Sequence, residues 1–432
     1  MYRCNEKAGV WTLQNEPVEA RGASGPLDGY RVIELCNTIA GPACTRLFGD
    51  FGAEVIKVEP ADGDAVRSIG GQEDGVSLYG SAILRNKDTV SINLKSPEGR
   101  QLLIDLVAKS DIVVENFRPG ALERLDLGWD VLSAANPKLV MVRISGYGQT
   151  GPYSAKAGYG AICEAFAGVR HMTGDPDRPP SRTALAATDY LTSVYAAFGG
   201  MMALLHAEKT GRGQVVDAAL YEAAFSMMES IVPDHHRLGV VPMRQGSRLP
   251  GTAPNNLYRG SDGGYVLVAA NNDAVFRRMA IAMDRADLLD DPRYASIRAR
   301  NANHEALDAE VAKWAEALTA HEAVEKMEAA GVPTSLVNTI ADIFADPHFR
   351  ERDMLLNLPH EKLGDVTVAG IVPKLSATPG AVRHLGREVG ADTFAVLRRV
   401  LEVGEGELQH LAAAGAIFQH MAADARREDV RA

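Results

Sequence analysis

Short β-rich runs alternate with helix-length segments through the first third of the chain, and this alternation restricts the fold more than any other feature. Arg31-Val-Ile-Glu-Leu35 is followed by a helical stretch opened by Gly41-Pro42 and reaching Phe51, then by Glu54-Val-Ile-Lys-Val-Glu59. The order returns as Val90-Ser-Ile-Asn-Leu94, a helical pattern over 98–109, Ile112-Val-Val-Glu115, a helix near 120–125 and Leu139-Val-Met-Val-Arg-Ile144. Repeated β-α-β order predicts an α/β fold, a parallel sheet covered by helices. Such sheets keep ligands in the loops beyond strand ends. Two loops stand out as dense in turn formers: SGYGQTGP, ending at Pro152, and GDPDRPPS over 174–181.

After Asp189 the positions Leu191, Val194, Tyr195, Phe198, Met201, Met202 and Leu205 keep i, i+3, i+4, i+7 spacing until Lys209-Thr-Gly211. The spacing predicts a long amphipathic helix. A strand follows over 213–220, leading into a helix to Met228. Pro, Gly, Arg and His then crowd 233–254, which sets a domain boundary. The expected organisation is an N-terminal arm over 1–26, a large Rossmann-like domain over 27–232, a linker and small α+β domain over 233–355, and a return segment over 356–432 that completes the large domain.

The 432 residues carry 45 Lys+Arg against 56 Asp+Glu, a net charge of −11. The chain therefore lacks the basic stripe that phosphate-backbone binding requires, and nucleic acid is not expected as a partner. No apolar run reaches the roughly 18 residues that span a bilayer, and 1–26 has no apolar h-region. The four cysteines (Cys4, Cys36, Cys44, Cys163) form no CxxC pair, which suits free thiols in a reducing cytoplasm.

Motifs for dinucleotides, ATP, serine hydrolysis and zinc proteolysis are missing: there is no GxGxxG after the first strand, no GxxxxGK[ST], no GxSxG and no HExxH. His235-His236 has no third ligand at metal spacing and reads as a surface pair. Asp189 has two readings. It is an N-cap before the long helix, or a carboxylate nucleophile kept ionised by the helix dipole. Glu59 closes the second strand and reads as structural or as the edge of a coenzyme site. Lys57 and Arg67 flank it, either as phosphate ligands or as a solvated pair.

Five blocks in collinear order carry a more specific signal: LDGYRVIELCNTIAGPACTRLFGDFGAEVIKVEPADGD (27–64), NKDTVSINLKSPEGRQLL (86–103), ENFRPGALERLDLGWDVL (115–132), ISGYGQTGPYSAKAGYG (144–160) and HAEKTGRGQVVDAAL (206–220). Together they resemble the class III CoA-transferases, which include formyl-CoA transferase, carnitine CoA-transferase and the alpha-methylacyl-CoA racemases. The resemblance implies two subunits threaded through one another as an interlocked homodimer. It also implies an active site between the large domain of one subunit and the small domain of the other, with acyl-CoA as substrate and no metal or other prosthetic group.

The family's catalytic aspartate matches Asp189. Its CoA contacts carry over onto Asn116, Phe117, Ala121, Arg124 and Leu125. An arginine that follows the second strand's acid in formyl-CoA transferase is Pro60 here, which leaves Lys57, Arg67 and Lys156, in that order, as candidate cations for the CoA phosphates. Tyr159 joins the CoA-binding set. Racemases use a His-Asp pair where this chain has Tyr159-Gly160. Unperturbed tyrosine titrates near 10 and glycine has no side chain, so transfer is favoured over epimerisation, with 2-methylacyl-CoA racemisation as the alternative. Glu164 lies one helical turn beyond Gly160 and is a candidate substitute for the glutamate that formyl-CoA transferase carries there. Ile39 replaces a shielding glutamine, which argues against formate and oxalate. Around Asp189 the chain looks more like the succinyl-CoA-dependent dicarboxylate branch. Arg182 is then the expected reader of an acceptor's distal carboxylate, or an arginine facing water.

Overall fold

The computed structural model describes residues 2–5, 10–13 and 25–420. The expected N-terminal arm over 1–26 lies mostly outside them; its described parts are the antiparallel strands Tyr2–Asn5 and Val10–Leu13 and residues 25–26. The described residues within 1–169, 184–229 and 350–432 form one compact unit, and those of 170–183 and 230–349 form another. The expected edges at 233 and 355 differ from these by a few residues, and the GDPDRPPS loop falls in the second unit.

The first unit is built on a seven-stranded sheet. Its order is Val215–Ala219, Val140–Ser145, Ile112–Glu115, Arg31–Leu35, Glu54–Glu59, Lys87–Ile92 and Ile417–Phe418. All neighbours run parallel except the last, which pairs antiparallel with Lys87–Ile92. The chain leaves Arg31–Leu35 toward one sheet edge through Glu54–Glu59 and Lys87–Ile92, then crosses back to Ile112–Glu115 on the other side. The switch point lies between Arg31–Leu35 and Ile112–Glu115, the place where open α/β sheets form their crevice.

Helices cover both faces, so alternate residues of each strand enter different cores. Ile33, Leu35, Ile56, Val58, Val90 and Val113 pack with helix Pro97–Ala108 and with Val396, Leu397 and Leu408 of the C-terminal helices. Val32, Val55, Val114 and Val142 pack on the other side with Phe48 of helix Ala40–Asp50 and with Ala196, Ala203 and Leu204 of helix Ala187–Thr210. Burial of both faces is what makes these strands read as nearly continuous apolar runs.

Helix Ala187–Thr210 buries a face other than its large apolar stripe. The buried side is small: Thr188, Thr192, Ser193, Ala196, Ala197, Gly200, Ala203, Leu204 and Ala207. Val194, Tyr195, Phe198, Met202 and Leu205 stay 47–60% exposed. Small residues let the helix lie close to its neighbours; a Cβ on Gly200 would stand 3.1 Å from the Phe48 ring.

In the second unit, strands Asn255–Arg259, Tyr265–Ala269 and Thr334–Leu336 form an antiparallel sheet. Tyr258, Val266 and Val268 pack there against Phe276, Met279, Leu307, Val311 and Met327 of its helices. His235 and His236 are exposed on helix Ile231–Leu238. Among the described residues no helix is long and apolar enough to cross a membrane.

Candidate active site

The loops at the switch point enclose a cavity of about 280 Å³. Asn37–Ala40 follow strand Arg31–Leu35, Asn116–Pro119 follow Ile112–Glu115, Ser145 ends Val140–Ser145 with Gly146 just beyond it, and Lys156–Tyr159 come from the segment before helix Gly160–Phe166. Asp189 faces into the same cavity. It stands in the first turn of a helix whose N-cap is Ala186. The N-cap reading is therefore corrected by three positions: Asp189 is a first-turn residue of the helix, not its cap.

The Asp189 carboxylate is set against Gly160, the first residue of helix Gly160–Phe166. An ideal Cβ on Gly160 would fall 2.0 Å from Oδ2, so only glycine leaves room for the carboxylate in this pose. Cys163, one turn along, is pushed up to about 11 by burial and by the Asp189 charge; its thiol donates to the Gly146 carbonyl at 3.3 Å. Glu164 is buried on the same helix. Tyr190 places its hydroxyl 3.1 Å from that of Tyr79. Burial, the bond to Tyr190 and the nearby Asp189 charge raise the Tyr79 phenol well above its usual range.

Facing Asp189, the loop after the first strand leads into helix Ala40–Asp50, whose N-cap Ile39 makes no side-chain cap bond. The N–H groups of Ala40 and Gly41 have no carbonyl within the helix to bond, and Ala40 lines the cavity. Asn116 grips the loop from just beyond strand Ile112–Glu115. Its Oδ1 accepts from the Asn37 N–H at 2.9 Å and its Nδ2 donates to the Asn37 carbonyl at 2.8 Å. Phe117 is partly buried against the first core and also lines the cavity. Its N–H donates to Glu115, which Arg143 holds at 2.7 Å.

The candidate cations separate. Lys156 lines the cavity and stacks its ammonium 3.3 Å over the Tyr153 ring. Tyr159 lines it too and is 72% exposed. Lys57, placed first for the CoA phosphates, is wholly buried and donates to Glu34, Asp64 and the Cys36 carbonyl, each at 2.8 Å. An ammonium with three internal acceptors and no solvent contact has no donor left for a phosphate, so that expectation is corrected. Arg67 makes a two-pronged pair with Glu59 at 2.9 and 2.6 Å and donates to the Arg387 carbonyl; it lines a different cavity, and Glu59 is structural. Arg118 is exposed at the cavity rim and was not singled out in the sequence. Its signal is its place in ENFRPG, one step beyond Phe117.

Ala121, Arg124 and Leu125 lie on and beside the short helix Glu123–Leu125, outside the cavity lining, with Arg124 exposed. Arg182 belongs to the second unit and is exposed. No group of three or more metal-type ligands occurs among the described residues.

The Rossmann-like sheet thus presents the Asp189 carboxylate to a switch-point cavity whose lining also includes Gly146 and Gly158. The chain belongs to CoA-transferase family III, whose sequence model matches residues 27–393, and it is a CoA-transferase. The chain is 42% identical to the succinyl-CoA–D-citramalate CoA-transferase of Chloroflexus aurantiacus, over 90% of this chain and 97% of that one. It is 36% identical to the succinyl-CoA:mesaconate CoA-transferase of Haloarcula marismortui, over 82% and 91%. A crystal structure of a CAIB/BAIF family protein from Brucella suis superposes with a TM-score of 0.78 at 31% identity, covering 87% of this chain and all of that one.

Proposed function

We propose that this enzyme moves CoA from succinyl-CoA to a dicarboxylic acid, with Asp189 as the covalent carrier. The observation that carries the reading is the Asp189 carboxylate seated on Gly160 and facing the loop Asn37–Ala40 across one cavity. The relatives' substrates supply the donor and the acceptor class.

In the first step an Asp189 oxygen attacks the thioester carbonyl; the C–S bond breaks, CoA leaves as its thiolate, and a mixed anhydride remains. The thiolate then attacks the aspartyl carbonyl, releasing succinate and leaving an aspartyl-CoA thioester. The acceptor carboxylate attacks that thioester, forming a second anhydride and freeing the thiolate again. Attack of the thiolate on the acceptor's carbonyl yields the new acyl-CoA and restores the Asp189 carboxylate. Electrons balance without an oxidant, and no proton need be gained or lost. Each attack builds an oxyanion, which first-turn N–H groups of Ala40 and Gly41 are placed to receive.

Asn116 belongs to this site as the clamp of the Asn37 loop, with Phe117, Lys156, Tyr159 and Arg118 at the CoA-facing wall. Arg124, Ala121 and Leu125 extend the proposed CoA path, and Arg182 reads the acceptor's far carboxylate. Epimerisation loses support because Gly160 offers no second base beside Asp189. The interlocked homodimer is the assembly we propose, supported by the exposed stripe Val194, Tyr195, Phe198, Met202 and Leu205, which a second copy would cover.

Chromatography of CoA esters tests the reading. Succinyl-CoA incubated with citramalate, malate, mesaconate or glutarate should yield the acceptor's CoA ester and an equal amount of succinate. Hydrolysis alone, or deuterium uptake at the alpha carbon of a 2-methylacyl-CoA without transfer, would replace it.

A further inference from the structure

Four buried charges lie directly beneath the loop that faces Asp189. Glu34 and Lys57 are cross-strand partners in neighbouring strands, and Lys87 joins them from the next strand on the same face. Lys57 Nζ meets Glu34 Oε1 and Asp64 Oδ2 at 2.8 Å, and Lys87 Nζ meets Glu34 Oε2 at 2.7 Å. Glu34, Lys57 and Lys87 are fully buried and Asp64 is nearly so. Two cations balance two anions. Burying ion pairs rarely adds net stability over packed apolar side chains, so the arrangement calls for another role.

Three of the four also grip the backbone from the end of the first strand to the first turn of helix Ala40–Asp50. Lys57 Nζ donates to the Cys36 carbonyl at 2.8 Å, Asp64 Oδ1 accepts from the Thr38 N–H at 2.9 Å, and Lys87 Nζ donates to the Pro42 carbonyl at 2.7 Å. The segment they hold is strained: Thr38 has φ 67°, a left-handed conformation unfavourable for a β-branched residue. Ser193 closes the circuit, its Oγ lying 2.7 Å from both the Ala40 and the Asp189 carbonyls.

We infer that Glu34, Lys57, Lys87 and Asp64 are positioning residues for acyl transfer: they hold Thr38 in its left-handed conformation, and thereby fix the backbone donors of Ala40 and Gly41 relative to Asp189. The inference rests on the transferase reading above. None of the four need touch CoA, so the network acts on the rate at which the anhydride and thioester form, not on how tightly the coenzyme is held.

The test is the double variant Lys57→Met/Asp64→Leu, which removes one cation and one anion together and leaves Glu34 paired with Lys87. The expected result is a folded protein with a KM for succinyl-CoA close to the wild type, while kcat and the rate of Asp189 adduct formation at saturating donor fall roughly 10–100-fold. A folded double variant with kcat within about twofold of wild type overturns the inference, because a purely structural pair is replaceable in this way. Should the double variant not fold, Asp64→Asn, which keeps the side-chain volume, decides: a kcat loss of about tenfold or more at unchanged KM supports positioning, and an unchanged kcat per folded molecule overturns it. A wild-type enzyme that transfers no CoA overturns the transferase reading and this inference with it, whereas an active wild type beside equally active variants overturns this inference alone.

Discussion

Gly160 and Asp189 share a single space. A Cβ on Gly160 would sit 2.0 Å from Asp189 Oδ2 and 2.8 Å from its Cγ, so the absence of a side chain at one position is a condition for the carboxylate at the other. The backbone at Gly160 is not left-handed, and it begins a helix.

Gly160→Ala should therefore be harmless to folding and damaging to activity. Alanine is the better helix former by roughly 1 kcal/mol, so Tm should hold or rise slightly. The carboxylate must move to clear the methyl group, and kcat should fall about 100-fold. Thermal melts together with steady-state kinetics check both halves.

Replacing Arg182 separates acceptor classes. Arg182→Ala should raise KM for dicarboxylate acceptors by about 10-fold or more, the loss of one charge-assisted pair, and leave a monocarboxylate acceptor unchanged. Equal losses for both would return Arg182 to the solvated role.

Acid should unlock the buried network. Burial works against the Glu34 charge, but Lys57 and Lys87 outweigh it and hold the carboxyl down at about 2, from an ordinary 4.5. A carboxyl depressed in the folded state stabilises the fold fully above its unfolded value and ceases to do so as pH falls through the folded one. Glu34 should thus contribute stability at neutral pH that disappears as pH falls from 4.5 toward about 2. Urea titrations across that range should show the decline, and Glu34→Gln should flatten it in whatever fraction of the variant folds.

Thiol chemistry should be quiet. Burial pushes the Cys36 and Cys44 thiols well above their usual range, with the Glu34 charge adding to both, and Cys163 stands at about 11. Iodoacetamide at pH 8 should leave these three unlabelled until the protein is unfolded, as read by peptide mass spectrometry.

The parallel sheet was legible because each of its strands is short, β-rich and followed by a helix, and parallel order needs no partner information beyond that alternation. The site was legible only in part. Asp189 could be singled out as a residue before a helix, but its role came from the resemblance, since an N-cap aspartate has the same local sequence. Lys57 was misplaced because EVIKVE reads as a strand with one polar side, whereas a central parallel strand is buried on both faces. Glu34 on the neighbouring strand was the signal that its charge is neutralised internally. The stripe on helix Ala187–Thr210 marked the helix, but the face the helix buries is another one, because close packing on the sheet selected Ala, Gly, Ser and Thr over the larger apolar side chains.

Asp189 as the covalent carrier is tested by mass spectrometry of the protein mixed with succinyl-CoA and quenched with hydroxylamine, followed by peptide mapping. A hydroxamate is expected on Asp189, absent from Asp189→Asn and absent without the acyl-CoA. Transfer of CoA with Asp189 unlabelled, or undiminished transfer by Asp189→Asn, would contradict that role.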